Sequence, residues 1–196
     1  MNYDSIIVEL LGRVKSLEEK VGNLETQLFA VVDEEDEQSN DFRVTRSVAR
    51  QFVMEKIVGK YPILEVQKGN RASGADIIIT LKNTDTTLKA KFYYSKSHLE
   101  FPSSWHTVKK TDRRDDIDLH IFTVSYEDSY HTFLFSREEL NQFISQKQRG
   151  SAGQFYFYFQ LIDGKVVEVR DGERDVNFYY EHWDLIGEML NTKKSQ

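Results

Sequence analysis

Asp76, Lys89 and Lys91 are the residues whose types and spacing could do chemistry. Ile77, Ile78 and Ile79 form an apolar run, and Leu88, Ala90 and Phe92 alternate with Lys89, Lys91 and Tyr93. Residues 74–95 therefore read as two β-strands, with Lys82-Asn83-Thr84-Asp85 as the polar turn between them. Asp76 opens one strand. The two lysines share a face of the next, because side chains two apart on a strand point the same way. A carboxylate on one strand beside a lysine on its neighbour is the skeleton of a metal-dependent phosphodiesterase site. Such a site holds Mg²⁺ between two carboxylates, and the lysine positions or polarises the nucleophile. Lys89 adds a second positive charge on the face of Lys91, which would repel the cation and leave Asp76 as a weak ligand. Lys89, Lys91 and Asp76 together could instead hold a phosphate or form ion pairs. An acid from elsewhere could restore the carboxylate pair, and Glu55 or Asp85 could supply it, although Asp85 falls in the turn.

An acid at a strand start, followed by acid-x-lysine on the next strand, is the motif of the PD-(D/E)xK nuclease superfamily. This chain resembles that superfamily with a degenerate motif: Asp76 matches the first acid, Lys91 matches the lysine, and Lys89 takes the second-acid position. The surroundings are similar too, with a helix before the first strand and Tyr94-Ser95-Lys96-Ser97 after the lysine. A strand over residues 118–124 and a strand–helix unit over 131–144 follow, so the likeness spans residues 41–147. It implies a restriction-endonuclease-like α/β fold, a mixed sheet flanked by helices. It implies Asp76, Lys91 and Glu55 as catalytic positions, since the superfamily often sets a site-facing acid on its first helix. Asp76 would be the metal ligand, and the only cofactor would be Mg²⁺, if the site is catalytic. The implied function is a nuclease-like module with a degenerate site that associates with DNA, RNA or protein. An active Mg²⁺-dependent endonuclease with a rearranged second acid is the alternative, and a dimeric scaffold that never meets nucleic acid is a third.

The elements that must position these residues follow from periodicity. Residues 41–60 are helical, capped by Asp41 and stopped at Gly59, with Val44, Val48, Phe52 and Glu55 on one stripe. Glu55 either faces the site or packs its stem at the stripe's edge while its carboxylate reaches water. Ile63–Gln67 is the first strand. Between His98 and Asp118, Trp105 and Val108 share a helical face, and Lys109, Lys110, Arg113 and Arg114 follow. With Lys96, this basic cluster is the expected nucleic-acid contact, although Asp112, Asp115, Asp116 and Asp118 cancel much of its field. Ser136 and Glu139 form a capping box for a helix bearing Leu140, Phe143 and Ile144. Phe155, Phe157 and Phe159 alternate with Tyr156 and Tyr158. They form either core or a base-stacking face. Asp163-Gly164 marks a hairpin, and a last helix carries Tyr179, Trp183, Ile186 and Leu190.

Composition sets the bounds. The 196 residues are 39% hydrophobic and 30% charged, enough apolar material for a core. With no cysteine, disulfides and thiolate chemistry are excluded, and the five histidines lack zinc-ligand spacing. Net charge is −6, which argues against a strong nucleic-acid binder. Much of that charge lies in Asp33, Glu34, Glu35, Asp36, Glu37 and Asp41, which leaves room for a local basic face. No run is long enough to span a membrane, so a cytoplasmic protein with no membrane partner is expected.

Three regions result: a coiled-coil helix over residues 1–31, an acidic linker over 32–41, and an α/β domain over 42–196. The domain has its core at 42–147 and a hairpin–helix extension at 154–191. Ile7, Leu10, Val14, Leu17, Val21, Leu24 and Leu28 keep unbroken a/d spacing, with β-branched residues at three of the four a positions and leucine at d. That combination favours a parallel homodimer through Ile7–Leu28. The Arg13–Glu18 and Lys20–Glu25 pairs would attract across it.

Overall fold

The computed structural model describes residues 13, 14, 16, 17, 20 and 46–194. The acidic linker and most of the coiled-coil segment lie outside the described residues. Arg13, Val14, Ser16, Leu17 and Lys20 are helical and exposed.

The strand pair at the centre of the sequence pattern is present. β2 (Ile77–Leu81) and β3 (Thr87–Lys96) are antiparallel, with Ile77 opposite Ala90 and Ile79 opposite Leu88. Asn83 takes a left-handed φ of 62° in the turn between them, a conformation asparagine tolerates. β1 (Leu64–Lys68) pairs outside β2, and β5 (Leu119–Tyr126) lies parallel to β3. β6 (Ser129–Ser136) completes a mixed sheet of order β1-β2-β3-β5-β6. β5 is buried on both faces, which explains its mostly apolar core over residues 121–124.

Alternation divides the core between two layers. On one face, Ile77, Ile79, Leu88, Ala90, Phe92, Leu119, Ile121 and Leu134 meet α1 (Arg46–Lys60) and the C-terminal helix (Asp184–Lys194). The inward stripe of α1 is Ala49, Val53 and Ile57. This corrects the expected stripe by about a quarter-turn: Val48 is 51% exposed and Glu55 is exposed.

On the other face, Phe122, Phe133 and Phe135 meet Val108, Phe155, Phe157, Phe159 and α2 (Arg137–Ile144). The capping box forms as expected: Glu139 N–H donates to Ser136 Oγ at 3.2 Å, and Ser136 N–H donates to Glu139 Oε2 at 2.7 Å.

The expected helix within residues 98–118 is absent. β4 (His106–Val108) pairs with β7 (Phe155–Phe157), and Lys110–Asp112 form a 3-10 turn. Every second residue of β4 is buried, a strand's period, and its partner lies about fifty residues away, so no local pattern announces it. The phenylalanine stripe is core. β8 (Phe159–Ile162) and β9 (Lys165–Glu168) form the expected hairpin, with Asp163 and Gly164 at φ of 51° and 74°. β10 (Arg174–Asp175) pairs outside β9. Tyr179 closes a 3-10 turn instead of opening the last helix, which starts at Asp184, and we designate that helix α3. No helix among the described residues is long and apolar enough to cross a membrane.

Candidate functional site

Asp76 is placed by the turn before β2. Gly69 N–H donates to Asp76 O at 2.9 Å, and a Cβ on Gly69 would come within 2.1 Å of Ala75 O, so this approach requires glycine. Asp76 N–H then donates to Ala90 O at 2.9 Å, which sets Asp76 opposite Lys91 across the two strands. Asp76 Oδ2 accepts from Phe92 N–H at 3.0 Å and lies 3.9 Å from Lys91 Nζ.

The crossover from β3 to β5 runs over the second face and brings a further acid to the same lysine. Asp112 Oδ1 lies 3.9 Å from Lys91 Nζ. Asp112 Oδ2 accepts from Lys109 N–H at 2.9 Å, which fixes the carboxylate in the 3-10 turn. Burial pushes the Asp112 carboxyl above its ordinary range, while the Lys109 N–H and the Lys91 ammonium pull it back. Lys91 is thus bracketed by two carboxylates from distant parts of the chain. Behind it, Tyr93 OH and His120 Nδ1 lie 3.2 Å apart. Burial, with Asp112 and Asp76 nearby, raises the Tyr93 phenol well above its usual value. Burial first, then Lys91, Arg113 and Arg137, lowers His120 to about 3 and keeps its imidazole neutral.

Arg46, the first residue of α1, closes the other side. Its Nη2 donates to Asp76 Oδ1 at 3.1 Å and to Phe92 O at 2.8 Å. Both oxygens of Asp76 are therefore engaged. Arg46, Lys91, Asp76 and Asp112 sum to zero formal charge.

Sequence reasoning brought Asp76 and Lys91 together correctly. Glu55 is not drawn into this group. It lies nine residues beyond Arg46, about 14 Å along the helix axis. It accepts from Gln51 Nε2 at 2.9 Å and faces a hollow beside Lys56, Lys60 and Trp183. Asp85 is exposed in its turn. Lys89 points to the same face as Lys91, but its Nζ pairs with Asp116 Oδ2 at 2.9 Å. Arg114 grips the same carboxylate through two nitrogens, each at 2.8 Å. Those two cations hold the Asp116 carboxyl down at about 2.

The expected basic cluster is dispersed. Lys109 and Lys110 are exposed beside Asp112, whereas Arg113 lies over the Phe155 ring at 5.1 Å. Lys96 is exposed at the far end of β3.

Two site residues escaped sequence reasoning. Asp112 was visible only as one of several acids diluting a basic run. Arg46 carried no signal, because its partner is thirty residues away and no periodicity links them.

The residues present do not fit a Mg²⁺ ion as they stand. Asp76 offers no unengaged oxygen, and the second-acid position is a lysine tied to Asp116. Only Asp112 Oδ1 remains, facing Lys91. The solved structures similar to this chain include a bacterial homing endonuclease, I-Ssp6803I. It shares 18% identity over 76% of this chain and 94% of that one, with a TM-score of 0.47. MepB is similar at 13% identity over 55% of this chain and 77% of that one, with a TM-score of 0.30. No protein-family model matches the sequence, and no curated protein matches it.

Proposed function

We propose that this chain is a nuclease-like α/β module of the PD-(D/E)xK type, with a degenerate catalytic site, that binds nucleic acid as a dimer without cleaving it. The observation that carries this reading is the Arg46 guanidinium on Asp76 Oδ1. It puts a fixed cation on the first acid of the motif and occupies an oxygen that a metal ligand would need free. The exposed Lys109 and Lys110 flank the site and offer phosphate contacts. Dimerisation through Ile7–Leu28 would present two such faces to one strand and raise their effective concentration.

Asp112 favours a second reading, an active Mg²⁺-dependent endonuclease in which it serves as the rearranged second acid. One pair of measurements separates the two. In the first, labelled DNA and RNA oligonucleotides are titrated by fluorescence anisotropy at rising salt. The binding module predicts dissociation constants of about 10⁻⁴–10⁻⁶ M. Replacing Lys109 and Lys110 with Ala should weaken binding and shallow its salt dependence. In the second, Mn²⁺ is titrated calorimetrically into the protein. A stoichiometric site abolished by Asp76→Ala, together with strand cleavage, overturns the degenerate reading in favour of the enzyme. Absence of binding to any nucleic acid overturns both in favour of a scaffold.

A further inference from the structure

β3 continues past the Lys91 site to a second cavity. Ser95 and Lys96, the last two residues of β3, form one wall. The cavity has a volume of about 180 Å³, below the roughly 300–1,000 Å³ of a drug-sized site. That is room for one small ring system.

Its construction is specific. The Trp105 and Tyr158 rings lie 4.4 Å apart between centroids, and the Arg170 guanidinium sits 5.6 Å from the Tyr158 ring centroid. The loop opposite is pinned by one hydroxyl. Ser97 Oγ donates to Phe101 O at 2.7 Å and accepts from Leu99 N–H at 3.3 Å and Ser103 N–H at 3.1 Å. Trp105 is itself fixed, because its backbone N–H donates to Ser95 Oγ at 3.2 Å. The shape is therefore set before any ligand arrives.

Hydrogen-bonding capacity around this cavity is left unfilled. The Trp105 indole N–H is buried without a partner. The side chains of Gln160, His98 and Lys96 also line the cavity. Among the described residues, none of these three has a hydrogen-bond partner. With the Trp105–Tyr158 pair, whose rings are inclined at 46°, they offer an aromatic wall, an amide that can donate and accept, and an ammonium on the rim.

We infer that this cavity binds an unpaired nucleobase of single-stranded DNA or RNA. The base stacks on Trp105, the Gln160 amide reads its edge, and Lys96 meets its phosphate. A base in a duplex hides that edge in pairing and both faces in stacking, so the ligand is a single strand. Lys96 lies five residues beyond Lys91, about 17 Å along the strand. The inference rests on the reading that this domain binds nucleic acid, and the test separates the two.

The protein is titrated with an eight-nucleotide thymidine strand, its uridine counterpart, the same strand with all bases removed, and a duplex. Tryptophan emission and anisotropy are read in parallel. Both base-bearing strands should quench emission to saturation, while the abasic strand and the duplex should not. A preference between the first two assigns DNA or RNA. In a Trp183→Phe background the quench should persist, because Trp105 is then the only tryptophan. Trp105→Ala should weaken single-strand binding about 5- to 160-fold, and Gln160→Ala should weaken it less while leaving the wall intact. Strand binding without quenching, with affinity unchanged in Trp105→Ala and Gln160→Ala, overturns the base site and leaves the nucleic-acid reading standing. Equal quenching by the abasic strand also overturns it. If no strand or duplex binds, the nucleic-acid reading itself fails.

Discussion

Replacing Lys147 with Ala should be among the most destabilising single changes in the molecule. Lys147 Nζ lies 2.8 Å from Glu168 Oε1 and 3.0 Å from Asp171 Oδ2. The Lys147 and Glu168 side chains are 0% exposed and Asp171 is 6% exposed. Glu168 Oε1 also accepts from Tyr158 N–H and Arg170 N–H, each at 3.2 Å. The ammonium sits over the Phe157 ring at 4.8 Å. Removing it leaves two carboxylates next to phenylalanine with their main counter-charge gone. Breaking a buried ion pair from one side costs about 3–5 kcal/mol, out of a total stability of about 5–15 kcal/mol. At roughly 2–4 °C per kcal/mol for a chain of this size, the melting temperature should fall by about 6–20 °C. Substituting Lys147→Met, Glu168→Gln and Asp171→Asn together removes all three charges and should recover about half of the loss or more. Urea unfolding followed by far-ultraviolet circular dichroism reads both variants. A loss below about 1 kcal/mol for Lys147→Ala, the worth of an exposed pair, would refute the argument.

Three other outcomes follow from the structure. Burial against Phe122 and Phe159 lowers His106 from 6.5 to about 3. Its neutral form contributes stability above pH 6.5 that is lost as pH falls toward 3. His106→Phe should therefore lose less stability between pH 7 and pH 4 than the parent, with His120 and His131, both also lowered by burial, among the groups that supply the remaining slope. Urea midpoints across that range decide it. The Asp112 carboxyl is raised by burial. The stability it contributes is present below the ordinary carboxylate value and lost as pH rises through its raised one. Asp112→Asn should then gain on the parent as pH rises from 3.5 to 7, and a constant difference would contradict this. Light scattering should give a dimer for the full chain and a monomer for a chain starting at Asp41. A monomeric full chain removes the coiled coil, and a dimeric truncation moves the interface onto the α/β domain.

What was legible in the sequence follows the range of the interactions involved. The β2–β3 pair, the Ser136–Glu139 box and the Asp163-Gly164 turn are local, and each appears where its residues predict. Asp76 and Lys91 come together because a short antiparallel connection fixes their register. Asp112 and Arg46 reach the same point by routes no local pattern encodes. One arrives on a 3-10 turn within a crossover, the other at the start of a helix. β4 was misread as helix because its partner strand lies far away in the chain. Glu55 was misassigned because an acid on an apolar-looking stripe says nothing about how far along the helix the site lies. The stripe itself runs through Ala49, which periodicity weighs lightly.

The two rims of the main sheet have different consequences for self-association. At β6, the C-terminal segment acts as a short false strand. Phe133 bridges Tyr180, Thr132 N–H donates to Glu181 Oε1 at 2.8 Å, and Glu181 N–H donates to Thr132 O at 2.8 Å. Trp183 Nε1 then locks Glu181 through Oε2 at 2.7 Å. The middle of that rim is covered by the chain itself. Among the described residues no strand pairs with the outer rim of β1, where Glu65 and Lys68 place opposite charges along a five-residue strand. Short length and charge are the usual guards against strand addition. A chain that extends this sheet, in assembly or in aggregation, finds its uncovered rim beside β1. Loss of residues 177–183 would open the second rim and allow growth in both directions.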